Sequence, residues 1–203
     1  MEKMKKTAGI LDTLCHILQI CCIVAAVAAL VGVLIVGAFF LFDLKPEQVA
    51  SGYESLDLGF LELTLAEAVT PEPAAVLLNA SVDMGLGAVM AVLAWLCVRC
   101  VRRVLSPMKD GLPFHRTAAE GTKKLAFLTI LLGVISNAAD MISLFLTVKT
   151  YQPTQVLLSD KVIATQLNYE LDLSFLVIAA VLLLLSYIFS YGQQLQQLSD
   201  ETL

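Results

Sequence analysis

Charge is what this chain has least of. Asp, Glu, Lys and Arg make up 15% of its 203 residues, against about 25% in soluble domains. Uncharged runs of 18 or more residues, rare in soluble folds, occur twice, at 13–42 and 173–199. Catalytic signatures are missing as well. There is no Gly-x-Ser-x-Gly, P-loop, dinucleotide-binding or zincin motif, so the usual carriers of hydrolytic, nucleotide-dependent and metalloprotease chemistry are absent. Intramembrane aspartyl proteolysis needs two facing carboxylates deep in the bilayer and a Gly-x-Gly-Asp order. Here "DMGLG" (83–87) puts the Asp before the glycines. The sequence points away from an enzyme and implies no cofactor.

What the chain has is apolar length. It is 58% hydrophobic, with a mean hydropathy of +0.81. A bilayer core takes about 20 apolar residues per helix. Four segments qualify, at 10–42, 82–105, 122–148 and 171–191. They leave no room for a sizeable soluble domain, so residues 1–203 read as one integral membrane domain. The leader "MEKMKK" resembles the start of a signal peptide. The apolar run behind it, however, reaches Phe42, far beyond a signal peptide's hydrophobic stretch, and reads as an uncleaved first span. Ala28 and Gly32, four residues apart on that span, favour close approach to another helix.

The few charges are placed unevenly. Lys3, Lys5 and Lys6 precede the first span; Arg99, Arg102, Arg103, Lys109, Arg116, Lys123 and Lys124 lie at or between spans two and three. The loop over 43–79 holds one Lys against seven acids, and the loop over 149–170 holds two residues of each sign. Lys and Arg gather in cytoplasmic loops. Both termini and the middle loop (106–121) are therefore expected inside, with four spans in a bundle. Trp95, Tyr187 and Tyr191 fit an inner aromatic belt.

The middle connection, "SPMKDGLPFHRTAAEGTKK", carries its own stops. Asp110-Gly111 reads as a helix end, Pro113 keeps the chain extended, and Thr117-Ala118-Ala119-Glu120 fits a capping box. Its basic residues Arg99, Arg102, Arg103, Lys109 and Arg116 suit anionic lipid headgroups or a cytoplasmic protein partner. Nucleic acid is not indicated, because the patch is small, lacks a recognised motif and lies against the membrane. The tail "GQQLQQLSDETL" prolongs span four. Leu195 and Leu198 make a narrow apolar strip for packing on the basic loop or on another subunit, and Asp200 and Glu201 are in reach of Arg102 or Arg103.

The stretch "LSPMKDGLPF" resembles the basic-helix, Gly-x-Pro-Phe loop of a four-span bacterial membrane family, domain of unknown function 2975. The ending "LDLSFLVIAAVLLLLSYIFSYGQQLQQLSDETL" is similar to the same family's last span and tail. The likeness is specific at residues 105–120 and 171–203; elsewhere only the pattern of spans is shared. It implies a four-helix protein of a bacterial cytoplasmic membrane and supplies no activity and no functional residues. Members often lie beside small helix-turn-helix regulators, which is context by analogy.

The outer loops alternate. Leu56, Leu58 and Phe60 share one parity; Leu61, Leu63 and Leu65 take the other, with a slip at Phe60-Leu61. Period-two patterning with a slip indicates strands with a bulge or bend. The second loop has two strand-like runs around Ser159-Asp160. The expected fold class is thus all-α, a four-transmembrane-helix bundle with both ends inside, carrying a small β-rich extracytoplasmic cap from the 1–2 and 3–4 loops. No cysteine falls in either loop, so the cap would lack disulfides.

Asp140 interrupts the third apolar run. An Asp at mid-span costs roughly 2.5–3.5 kcal/mol on insertion scales, so it is expected to face other helices. Thr129, Gly133, Ser136, Asp140, Ser143 and Thr147 recur at three- and four-residue spacing, with Asn137 beside them, one polar or small stripe on an apolar helix. Asp83 and Asp172 start spans two and four, near Asn79, Asn168 and Ser174. Convergence of Asp83, Asp140, Asp172, Asn137 and Ser136 would make an oxygen-only site for a hard cation or a proton. The plainer alternative makes Asp83 and Asp172 helix N-caps, with Asp140 hydrogen-bonded across the bundle. Cys97-x-x-Cys100, with Cys15 and His16, allows a soft-metal or thiol site, but five small residues in apolar helices explain these cysteines as well. Asp12 and His16, i and i+4, read as an interfacial pair.

The residues thus lead to a sensory or regulatory accessory protein in contact with membrane lipids and with a protein partner or another copy of itself. A small cation- or proton-coupled transporter using Asp140 comes second, and a structural subunit of a larger complex third.

Overall fold

The computed structural model describes residues 2–41, 55–57, 62–64, 73–109, 115–151 and 171–201. They form four long helices: α1 (Glu2–Leu41), α2 (Pro73–Lys109), α3 (Arg116–Tyr151) and α4 (Ser174–Glu201). The apolar stretches within them, Lys5–Phe39, Ala74–Lys109, Arg116–Thr150 and Ser174–Leu198, are each long and apolar enough to cross a membrane. Their surfaces agree. Leu34 is 73% exposed, Val177 68% and Phe145 66%. So much open apolar area on every helix is the surface of a chain solvated by acyl tails. The protein is a multi-pass membrane protein.

The β-rich cap is not seen, and that part of the expected fold class is corrected: the architecture is all-α. The described residues outside the helices include only one antiparallel pairing, Ser55–Asp57 with Glu62–Thr64, three residues on each side. A two-stranded ribbon of this size is marginal by itself. Phe60, Leu61 and the run around Ser159-Asp160 lie outside the described residues.

Helix boundaries also shift. α2 begins at Pro73 rather than near residue 82, with a proline in the first position, where its missing N–H costs nothing. Asp83 is therefore ten residues inside the helix and does not cap it. α2 runs through Pro107 to Lys109; Asp110, Gly111 and Pro113 lie outside the described residues. The capping box over 117–120 is not formed. The ring Nδ1 of His115 instead accepts from the Thr117 N–H at 3.3 Å and lies 2.9 Å from the Thr117 hydroxyl. Glu120 takes the Arg116 guanidinium at 2.8 Å.

The chain divides into two compact units, one of residues 1–27, 89–136 and 172–203, the other of 28–88 and 137–171. In the first, buried positions include Leu93, Val98 and Leu105, but the most deeply buried are small. Ala118 and Ala126 are fully buried and Ala179 nearly so, with Gly121 and Thr122 beside them. The Ser186 hydroxyl of α4 donates to the Ala119 carbonyl of α3 at 2.9 Å. Gly133 lies so close to Phe175 that an added Cβ would overlap the ring, and a Cβ on Gly121 would sit 2.8 Å from a Val104 methyl of α2. Small residues and a few interhelical hydrogen bonds are how helices associate where burying leucine gains nothing over lipid. In the second unit Gly32 of α1 receives the Met84 side chain of α2. The Asn79 amide of α2 donates to the Thr147 hydroxyl of α3 at 3.3 Å.

Gly133→Ala drives a methyl into the Phe175 ring. Overpacking of this kind costs about 1–3 kcal/mol, so the unfolding midpoint in detergent is expected to fall. Adding Phe175→Ala should recover most of the loss; an unchanged midpoint for the single variant contradicts the contact.

At the start of α4, Asp172 Oδ1 accepts the Ser174 N–H at 2.8 Å. That backbone bond, and then the Ser174 hydroxyl, hold this carboxyl below the usual carboxylate range. Its folded value lies under the unfolded one of about 3.9. The stabilisation is therefore complete above the unfolded value and disappears as pH falls through the folded one. Exchange protection of the Ser174 amide is expected to drop over that acid range. In Asp172→Asn it should stay flat there; a parallel drop in both proteins removes the cap.

Candidate functional site

The densest polar cluster joins α1 to α2 within the first unit. On α1, Asp12, His16 and Gln19 fall at i, i+4 and i+7, a spacing that puts them on one face. On α2, Arg102 and Lys109 are again seven apart, about 10.5 Å of helix rise. Arg102 Nε donates to Asp12 Oδ1 at 2.9 Å. Arg102 Nη1 donates to Gln19 Oε1 at 2.6 Å and lies 3.3 Å from His16 Nδ1. Lys109 Nζ takes the other Asp12 oxygen. One guanidinium thus binds three α1 side chains, and one carboxylate receives two cations. Gln19 meets Arg102 while Asp12 reaches on to Lys109, the order expected of antiparallel helices.

The electrostatics make this a latch and not a reactive centre. Both Asp12 oxygens are engaged, so the carboxylate is a poor general base. Asp12 and Arg102 remain 19% and 33% exposed, so the latch lies at the edge of the helix pair, open to screening by salt.

Asp83, Asp140 and Asp172 are all exposed, and Ser136 and Asn137 are half-buried. Among the described residues no three His, Cys, Asp or Glu side chains are placed to hold a metal ion. The expectation that Asp140 faces other helices is not met. The rest of its stripe is at least half-buried, and two members do meet a neighbouring helix: Gly133 packs on Phe175 and Thr147 on Asn79. Asn79, expected near an acidic cavity, is instead buried within α2, and its carbonyl oxygen has no partner among the described residues. Cys15, Cys21, Cys22, Cys97 and Cys100 are free thiols.

The basic set is sorted into two kinds. Arg102 and Lys109 turn to Asp12; the side chain of Asp200, expected in reach of Arg102 or Arg103, lies outside the described residues. Arg116 pairs with Glu120 one turn on. Arg99 lies over the Trp95 ring, 5.4 Å from its centroid, and Arg103 is exposed. Sequence reasoning found Asp12 and His16 but missed Gln19; polar residues at i, i+4 and i+7 on the first span were the available signal.

No family profile matches the chain, and neither does any curated protein or solved structure.

Asp12→Asn leaves Arg102 and Lys109 side by side with no anion between them. The thermal midpoint in detergent is expected to fall by about 2–6 °C, more at low salt than at high salt. Arg102→Gln added to that variant should recover part of the loss. Strict additivity of the two changes argues against coupling.

Proposed function

We propose that the protein is a regulatory accessory subunit of a bacterial cytoplasmic membrane, with both chain ends inside, acting through contacts with a protein partner. The observation that carries this reading is the division of its cations. Arg102 and Lys109 are spent on fixing α1 to α2, whereas Lys123 and Lys124 stand exposed on α3 in the same unit. A fixed helix pair beside an open basic surface is suited to presenting that surface to an acidic partner. The likeness of residues 105–120 and 171–203 to domain of unknown function 2975 supports the bacterial setting. The context of that family, beside small transcriptional regulators, supports a regulatory role by analogy alone.

Cation- or proton-coupled passage has less support, because Asp140 is exposed and, among the described residues, no three His, Cys, Asp or Glu side chains are placed to hold a metal ion.

A photo-crosslinker at position 127, on the exposed side of α3 one turn from Lys123, should capture a defined protein in native membranes. Lys123→Glu with Lys124→Glu should abolish the capture and leave the thermal midpoint in place. Undiminished capture by the charge-reversed chain overturns the reading. A cation flux in proteoliposomes that Asp140→Asn eliminates would install the transport reading instead.

A further inference from the structure

One exposed stripe of α2 changes character along its length. Val89 and Val92 are 46% and 50% exposed, and Arg99, Arg103 and Ser106 are exposed as well. Their spacing of three, seven, four and three residues keeps them on one helix face. All belong to the first unit. The valines lie within an apolar span, where an outward side chain meets acyl tails. About 10.5 Å further along the helix from Val92 the same face carries Arg99, and one turn later Arg103. Tail-like chemistry thus gives way to paired cations in the order in which a phospholipid passes from chain to phosphate.

The two arginines differ from their neighbour in more than position. Arg102 lies about 60° and 100° around the helix from Arg99 and Arg103, taking 100° per residue, and is held by α1. Arg99 is braced on Trp95 at 5.4 Å. That stacking holds a planar fork of donors in place, so less rotational freedom is lost when it takes two phosphate oxygens. Tryptophan at this level also favours the headgroup region.

We propose that Trp95, Arg99 and Arg103 form a binding site for the phosphate headgroup of an anionic glycerophospholipid, with Val89 and Val92 along its acyl chain. The site stands on this face of α2 and does not depend on the accessory role proposed above.

Trp95 is the chain's single tryptophan, so its emission reports on the site directly. The full-length protein is reconstituted in phosphatidylcholine vesicles containing brominated phosphatidylglycerol or, separately, brominated phosphatidylcholine at equal mole fraction. Quenching should give an association ratio of at least about fivefold in favour of the anionic lipid, the factor that one basic side chain near an anionic surface supplies. Arg99→Gln with Arg103→Gln should bring the ratio to one. Lys149→Gln, at the far end of α3, should leave it unchanged. Arg103→Lys, which keeps the charge, should retain a preference even if the double variant fails to insert. Equal quenching by the two lipids in the native chain overturns the proposal. So does a Trp95 response to soluble glycerol phosphate as large as that to the lipid, which would assign the site to a free phosphate.

Discussion

Two apolar helices in a bilayer gain little by covering each other's leucines, because acyl tails are just as apolar. Every other feature of this protein depends on that constraint. Many large side chains are left outside: Leu34, Phe145, Val177 and Leu184 are all more than 60% exposed. The buried positions include Leu77, Leu93 and Leu105, but the deepest go to small residues such as Ala118, Ala126 and Ala179. Small residues let backbones approach until van der Waals contact and a direct hydrogen bond, Ser186 to the Ala119 carbonyl, hold α3 and α4 together. The association of α1 with α2 adds the other route, a polar knot at Asp12 and Arg102, to the contact of Gly32 with Met84. Neither kind of contact would be noticed in a count of buried hydrophobic area.

The same constraint decides what the sequence could reveal. The four helices were legible because apolar length is itself the signal, and the charge counts that order the loops are read in the same way. Gly32 and Gly133 were legible as contact points because small residues at helical spacing have no other use on a lipid-facing surface. Asp140 was not. A helical wheel gives azimuth, and by azimuth Asp140 lies between Gly133 and Ser136. Burial also requires a neighbouring helix opposite that level, which no pattern within one helix supplies. The start of α2 was misplaced for a related reason. Asn79 and Asp83 look like the polar edge of a span, yet the helix continues back to Pro73. Asn79 is accommodated by Thr147 of another helix, a partner 68 residues away.

The outer loops show a different limit. Alternating leucines over 56–65 are necessary for a half-buried strand but do not create the second layer that would make it worth forming. What the pattern produced is a pairing of three residues with three. Asp57 lies opposite Glu62 in that register. At α3, local propensity was again overruled. Thr117 and Glu120 have the chemistry of a capping box, but His115 reached the Thr117 N–H first and Arg116 claimed Glu120.

The arginines of α2 carry this reasoning to its end. A topology count treats Arg99, Arg102 and Arg103 as three equal positive charges, and for orientation in the membrane they are. The helix makes them unequal, because 100° per residue sends neighbours in sequence to different surroundings. Arg102 meets a carboxylate, an amide and an imidazole on α1 through its Nε and Nη1, so it is engaged inside the protein. Arg99 and Arg103 keep their donors for whatever lies outside. Moving the arginines by one position would keep the charge count and the topology signal. It would also break the latch to Asp12 and turn the outward pair about 100° away from its present face. Their order along α2 is therefore set by two demands at once, and only the first of them acts within the chain.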